Sequence, residues 1–414
     1  MTIDEMMELC RGYVDVEIPS EHEVITVTQD EAEMLETARL QDLEQPEILV
    51  ARNLATEFPQ HERKVHAILM GSFRGGSSFV AELFNSNSDF FYSYEPGRTL
   101  VTCMRKFDEP FSLYRPRHIQ MIENIFRCNF TYDVMECYAS DLETSNWRKR
   151  TREIPLLTTK NLCSEEWKNK YGSYVNGCAI INTDMLTDLC QQRKHVIIKS
   201  IRLYDLNDVM ALMRDPTLNV HVIHLIRDPR GKAPSWMDRR VVQKEHYDTD
   251  DLTDEFVGNM SKYCEVALEN LIVGLSMTDV FRDRYKAVRY EDVALSPHEM
   301  ASDIYDFLNL PMPDNVTKWI DRNTKSYAGG PFDTSRDSAK AALSWKQTLS
   351  PDAIQRIEEI PPCREFMAIA GYRPVFELEE LLDENNTFLD YFPPGYIPNL
   401  GFKQESYKHI YWTP

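Results

Sequence analysis

Short runs of consecutive apolar residues alternate along this chain with segments whose apolar positions recur every three to four residues. Val65-His66-Ala67-Ile68-Leu69-Met70 reads as a buried strand, and Phe79, Leu83 and Phe84 then repeat at helical spacing until Asn85-Ser86-Asn87-Ser88 stops the helix. Phe90–Tyr94 predicts a second strand, ended by Glu95-Pro96-Gly97. Residues 100–190 give a mixed pattern, with one helix candidate over Pro116–Arg127. Regularity returns with strands at His195–Ser200, Val220–Ile226 and Tyr285–Tyr290. Between and after them, helices are predicted over Asp205–Met213, from about Ala233, over Leu252–Leu275 and over Ser296–Leu310. The last opens with Ser296 as cap and Pro297 in the first turn. Strands alternating with helices predict an α/β fold, a parallel β-sheet flanked by helices, with ligands bound beyond the strand C-termini.

Composition sharpens the picture at the two ends. The chain has 414 residues and a formal charge of −20, which argues against a general nucleic-acid binder. Residues 1–47 carry 14 acidic against 2 basic residues and residues 377–414 carry 7 against 2, which leaves 48–376 near −3. The expected division is an acidic N-terminal appendage over 1–59 with one candidate helix at Asp30–Leu43, a main domain over 60–376, and an acidic tail over 377–414. A near-neutral middle can hold an anion where basic residues converge. No apolar run is long enough to span a bilayer, and the first ten residues lack the features of a signal peptide. Nine cysteines occur without a CxxC pair or zinc-site spacing, so no metal is expected. Sequons stand at Asn129, Asn259, Asn315 and Asn385, a weak hint of a secretory compartment.

Two loops carry candidate chemistry. Gly71–Ser78 lies between a buried strand and a helix, where backbone N–H groups and a helix N-terminus face an anion, usually a phosphate. Arg74 adds a fixed charge, and Ser77 and Ser78 add hydroxyls beside Gly75 and Gly76. A tight strand-to-helix turn with a capping serine explains the same residues. The Gly-Lys-Ser/Thr of a Walker loop is absent, which counts against a nucleotide-dependent kinase. The second loop is Arg227-Asp228-Pro229-Arg230 with Ser235 eight residues after Arg227, again following a strand. It suits a second phosphate, with Lys232, Arg239 and Arg240 adding charge, or else is a solvated basic helix face.

Taken together, the loops resemble the two donor-binding motifs of sulfotransferases that use 3′-phosphoadenosine-5′-phosphosulfate (PAPS). The nearest resemblance is to the carbohydrate 6-O-sulfotransferases acting on N-acetylglucosamine, galactose and N-acetylgalactosamine. It rests on Arg74–Asn85, Phe91–Pro96, Lys199–Arg230, Arg289–Ser296 and Pro331–Pro351, in the family's order over about residues 65–374. The resemblance implies a P-loop-like sulfotransferase fold, PAPS as co-substrate and a glycan acceptor whose 6-hydroxyl receives the sulfuryl group. It implies a donor site of Arg74, Gly75, Gly76, Ser77, Ser78, Arg227 and Ser235, with Arg74 bridging sulfate and leaving phosphate. Glu95 matches the family's Phe/Tyr-Glu-Pro glutamate and is the expected general base, provided burial raises its pKa, or else is a helix-capping or salt-bridged carboxylate. His118 is the rival base. Lys199 and Arg202 are expected near sulfate or acceptor, or in a structural ion pair. Arg289, Tyr290 and Glu291 are expected to brace the sheet. Arg336, Trp345 and Lys346 are expected either to cover the nucleotide or to belong to the core. Cys264 and Cys363 stand where the family has cysteines, and an oxidising compartment would let them pair, although sequence alone does not give the connectivity. Gly75 departs from the pattern, which has Ser or Thr there, and removes one hydroxyl donor. That departure keeps open a non-catalytic nucleotide- or glycan-binding protein of the same fold, as well as a sulfotransferase for another acceptor class. The resemblance implies residence in the Golgi lumen by way of an N-terminal helix; none is read in this sequence, so the expectation is either a soluble chain or a start that lies upstream.

Overall fold

The computed structural model describes residues 63–392 except 132, 174–176, 238–245, 277–278, 326–334, 336, 384 and 391. The expected appendage with its helix at Asp30–Leu43, together with Arg239, Arg240, Arg336 and residues 393–414, lies outside the described residues. Five strands form one parallel sheet: β1 (His66–Met70), β2 (Phe90–Tyr94), β3 (His195–Ser200), β4 (Val220–Ile226) and β5 (Tyr285–Arg289), in the order β2-β3-β1-β4-β5. Every strand is buried along its whole length, so none alternates cleanly between apolar and polar positions, although β3, β4 and β5 also bury histidine, lysine or arginine.

Alternate strand residues supply two cores, one on each face. Ile68, Met70, Val196, Ile198, Val220 and Val222 point to one layer of helices, while Ala67, Leu69, Ile197, Ile223 and Tyr92 point to the other. The second layer contains α1 (Ser77–Asn85), whose Phe79, Val80, Leu83 and Phe84 face the sheet. The first layer contains α2 (Pro96–Lys106), α3 (Tyr114–Phe126), α4 (Asp133–Thr144) and the long α7 (Asp254–Ser276), with α5 (Trp147–Glu153) and α6 (Pro229–Met237) between α4 and α7 in sequence. The mixed stretch 100–190 is therefore helical, and it is laced by Cys103–Cys137, Cys128–Cys190 and Cys163–Cys178. A fourth disulfide, Cys264–Cys363, ties α7 to the later helix Pro361–Ile369. No described helix is long and apolar enough to cross a membrane.

Two helix expectations change. Asp205–Met213 is a 3-10 turn, Leu206–Val209, running into a short helix, Met210–Arg214, because the Asp205 carboxylate accepts from Asn207 N at 2.9 Å and starts a tight turn. Ser296 caps Pro297–Phe307 only through its backbone. Its N–H closes α8 (Tyr290–Leu295) on Asp292 O at 2.9 Å, its carbonyl accepts from Met300 N at 3.0 Å, and its hydroxyl makes no capping bond.

Register places the chemistry at one edge. Met70 pairs with Ser200 and His224, Tyr94 with Lys199, and Ile226 with Arg289. β1, β2 and β3 end within one residue of each other and β4 and β5 run two residues further, so the loops after β1, β2, β3 and β4 open on the same edge, at the crossover point where the chain passes from β3 across β1 to β4.

Candidate active site

The loop after β1 turns tightly enough that Gly75 N donates to Ser72 O at 3.0 Å. Arg74 and Gly76 then take positive φ values of 59° and 83°, a conformation that costs glycine little and an arginine more. Gly76 has a second reason to be glycine: a Cβ there would stand 2.2 Å from the Tyr290 ring. α1 begins without any side chain bonded to its first N–H groups, so its N-terminus faces the loop with donors unclaimed by a cap.

Arg74 and Ser235 meet across the two loops. Arg74 Nε donates to Ser235 Oγ at 2.7 Å and to Ser235 O at 3.1 Å. Arg227 donates from Nη1 to Arg74 O at 2.9 Å and stacks its guanidinium 4.4 Å over Tyr290, while its buried Nε has no partner. A buried guanidinium N–H left unbonded fits a site awaiting an anion. Arg74, Gly76, Arg227 and Ser235 are thus brought together, with Ser77 and Ser78 at the head of α1. Arg230 is not part of this group. It is 0% exposed, bound to Asp228 at 2.6 Å and Glu358 at 2.7 Å, and stacked on Trp345 at 4.3 Å. Arg230 and Trp345 therefore belong to a buried ion-pair core, and the positive charge expected at Arg230 is already neutralised. Lys346 reaches Asp383 O at 2.6 Å and Asn386 O at 2.9 Å, so it pins the later chain.

Lys232, which the sequence marks only as local charge, lies between the same two loops. It is buried, donates to Ser72 Oγ at 2.7 Å and lies 3.2 Å from the centroid of the Tyr263 ring. Burial first, and the Arg227 charge second, push its pKa well below the ordinary lysine value. Lys232 stands two residues after Arg230, on the first turns of α6. The signal that could have marked it is that nearness to the end of β4, which makes it part of the second loop's chemistry instead of a solvated helix face. Ser72 matters for Gly75 too. A Cβ at Gly75 would come 2.8 Å from Ser72 Oγ and 3.0 Å from Ser72 O. The Ser72 hydroxyl thus occupies the space that a side chain at 75 would need.

Glu95 follows β2 with a positive φ of 47°. Its carboxylate bonds Lys199 through one oxygen and Arg202 at 2.6 Å through the other, so both of these cations are in the ion pair with it. Burial alone would raise its pKa, but the Lys199 and Arg202 charges and hydrogen bonds outweigh that and hold it down at about 2. The direction is opposite to the one a resting general base needs. His118 lies close by: it stacks on Tyr114 with ring centroids 5.3 Å apart, and the Tyr114 hydroxyl reaches Gly97 O at 3.4 Å. Burial, with the Arg202 charge adding, lowers its pKa to about 4, and Nε2 is buried without a partner.

Tyr94 joins the two halves. Its hydroxyl is 3.4 Å from Ser78 Oγ and accepts from Arg152, while the Lys199 ammonium lies 4.2 Å over its ring. Arg289 binds Asp292 and the carbonyls of Ala370, Gly371 and Asp390, and Glu291 accepts from Asp228 N at 3.1 Å and from the Tyr372 hydroxyl at 2.9 Å. Both brace the sheet edge.

A family profile described as "Sulfotransferase family" matches residues 67–314. The chain belongs to the sulfotransferase family. The matched span of this sulfotransferase takes in the loops after β1, β2, β3 and β4 that build the site. It is 30% identical to carbohydrate sulfotransferase 1 of Danio rerio over 363 residues, covering 80% of this chain and 84% of that protein. It is 26% identical to human carbohydrate sulfotransferase 6 over 370 residues, covering 84% and 90%. Among solved structures it is similar to a sulfotransferase domain from a Synechococcus olefin synthase, at 17% identity and a TM-score of 0.37, covering 73% of this chain and 97% of that one.

Proposed function

We propose that this sulfotransferase moves the sulfuryl group of PAPS to the 6-hydroxyl of N-acetylglucosamine, galactose or N-acetylgalactosamine in a glycan. The observation that carries the reading is the meeting of Arg74, Arg227 and Ser235 at the mouth of the β1 loop, with Arg227 Nε unbonded. The donor's 5′-phosphate lies on the α1 N-terminus and the N–H groups of Gly75, Gly76, Ser77 and Ser78, and Arg227 with Ser235 takes the 3′-phosphate. Arg74 lies between them and stabilises charge as it shifts to the leaving phosphate oxygen.

In the transfer the acceptor oxygen forms a bond to sulfur as the sulfur–oxygen bond to the 5′-phosphate breaks. The acceptor proton goes to Glu95, and the electron pair of the broken bond remains on the phosphate. Glu95 gains basicity when the incoming sulfate competes for Lys199 and Arg202, since each lost ion pair removes a cause of its low pKa. Lys199 and Arg202 then serve the transferring group. Among similar proteins, the names that specify carbohydrate support the glycan acceptor.

Incubation with labelled PAPS and oligosaccharides bearing free 6-hydroxyls tests this directly. Label in the glycan, placed at the 6-position by mass spectrometry, is the expected result. No transfer together with no binding of 3′,5′-adenosine bisphosphate overturns it, whereas bisphosphate binding without turnover selects the non-catalytic reading.

We place the enzyme in the Golgi lumen, on the argument that four disulfides persist only in an oxidising compartment. Asn129, Asn315 and Asn385 are exposed and Asn259 is buried in α7. Secreted protein should therefore carry glycans at the first three sequons and none at Asn259, which glycosidase treatment and peptide mapping would read.

A further inference from the structure

A cavity of about 220 Å³ opens beside Tyr94, lined by Arg98, Arg148, Lys149, Arg152 and Glu153. We propose that it is a subsite for an anionic substituent, a sulfate ester or a carboxylate, carried by the acceptor glycan. The inference rests on the glycan-transfer reading above and narrows its substrate class.

Position comes first. Arg152 stacks 4.6 Å over the Tyr94 ring and donates to its hydroxyl, while Lys199 lies over the same ring at 4.2 Å. Tyr94 directly precedes Glu95, so one side chain separates the cavity from the Glu95–Lys199–Arg202 cluster. With one sugar at Glu95, a glycan would meet the cavity by carrying a neighbouring sugar across Tyr94.

Charge comes second. Four cations line the cavity, against Glu153 within it and Asp141, which holds Lys149 at 2.6 Å. In a chain of net charge −20, that surplus is a local exception. A polyanionic acceptor would be repelled by the molecule as a whole and needs such a place to dock. Arginine forks match the paired oxygens of a carboxylate or sulfate.

The third observation is Glu153. Its side chain lines the cavity, the residue is 2% exposed, and Oε1 has no partner, although Thr99 donates to Oε2 at 3.3 Å. A buried carboxyl oxygen without a partner is costly unless a ligand or a proton completes it. Burial raises its pKa to about 7, with Lys149 and Arg98 opposing the rise and Asp141 adding to it. Near neutral pH it therefore takes up a proton readily, which lets it face an anion without repelling it and gives it an O–H to donate. By volume the cavity has room for about seven waters, enough for the charged group and part of its ring.

Steady-state transfer is measured with a neutral oligosaccharide and with the same oligosaccharide bearing either one sulfate or one uronic carboxylate. The protein is the full chain and its Arg98→Ala and Lys149→Ala variants. The wild type should show a lower KM for at least one anionic acceptor, and the better arm identifies the anion. The variants should raise that KM about 10-fold and leave kcat and the neutral acceptor's KM unchanged. Equal kcat/KM on neutral and anionic acceptors in the wild type overturns the subsite, as does an equal loss on both in the variants. Retained transfer to the neutral sugar in those cases leaves the glycan-transfer reading standing; only its absence on every acceptor removes that reading as well.

Discussion

Glu95 shows how a single residue sets both stability and chemistry. Its folded pKa of about 2 lies below the ordinary glutamate value of ~4.3. The stability it contributes is therefore fully present above about pH 4.5 and is lost as pH falls toward 2, amounting to about 3 kcal/mol. Glu95→Gln leaves buried Lys199 and half-buried Arg202 without their counter-charge, and breaking a buried pair typically costs roughly 3–5 kcal/mol. Urea midpoints measured from pH 2 to 7 should fall more steeply below pH 4.5 in the wild type than in the variant. Parallel acid limbs would mean that Glu95 is not held by these two cations. The Ser72–Gly75 pair gives a second prediction. Restoring the family's serine by Gly75→Ser forces a Cβ to within 2.8 Å of Ser72 Oγ and 3.0 Å of a backbone oxygen, and disturbs the partner of buried Lys232. We expect it to weaken binding of 3′,5′-adenosine bisphosphate by roughly 10-fold, about 1.4 kcal/mol. Titration calorimetry decides it, since tighter binding would show that the Ser72 hydroxyl does not stand in for the missing one.

Among the elements, the long helix α7 depends on its tie to Pro361–Ile369. Cys264–Cys363 closes a 99-residue separation, and Cys363 and Phe366 pack against the same core as Met260 and Ala267. Replacing both cysteines by alanine should cost about 2–4 kcal/mol, read as a lower denaturant midpoint with a somewhat steeper slope, since the opened denatured chain exposes more surface. Bisphosphate affinity should be kept in the variant, because neither cysteine touches the β1 or β4 loop. All five strands were legible because each holds a cluster of Val, Ile, Leu, Phe, Tyr or Ala, and Asn, Pro or Gly marks several of their ends. The two candidate loops drew attention for a different reason: each places glycine or arginine directly after a strand, where an anion can be held. The stretch 100–190 was not, since its helices are short and its apolar positions face three disulfides and α2 instead of a continuous sheet face. Arg152 and Glu153 were missed with it. The run Arg148-Lys149-Arg150-Thr151-Arg152 was visible as charge, but nothing in sequence joins it to Tyr94, 58 positions earlier. The Glu95 ion pair was legible in part, since a salt-bridged carboxylate and an ion pair for Lys199 and Arg202 were open readings, but that these residues partner one another was hidden, because parallel register, which seats Tyr94 beside Lys199, is a tertiary fact.

At the scale of the whole molecule, charge and packing place the C-terminal boundary differently. By charge the main domain ends near 376, yet the described chain continues to pack beyond that point. Phe388 is 1% exposed and its ring centroid lies 5.4 Å from that of Trp345, and Arg289 and Lys346 bond carbonyls of Asp390, Asp383 and Asn386. Those contacts link the 377–392 segment to the Arg230–Asp228 pair and so to the loop after β4. A chain cut to 60–392 should keep its melting temperature and its bisphosphate affinity. A chain cut to 60–376 removes a buried phenylalanine, a loss of roughly 3–5 kcal/mol, and leaves Arg289 and Lys346 without those acceptors. It should melt roughly 10 °C lower. It should also bind bisphosphate more weakly, because Asp228 follows Arg227 directly and shares the Arg230 network. Equal melting of the two truncations would return the boundary to the one that charge alone draws, and would make the Arg289 and Lys346 contacts incidental to stability.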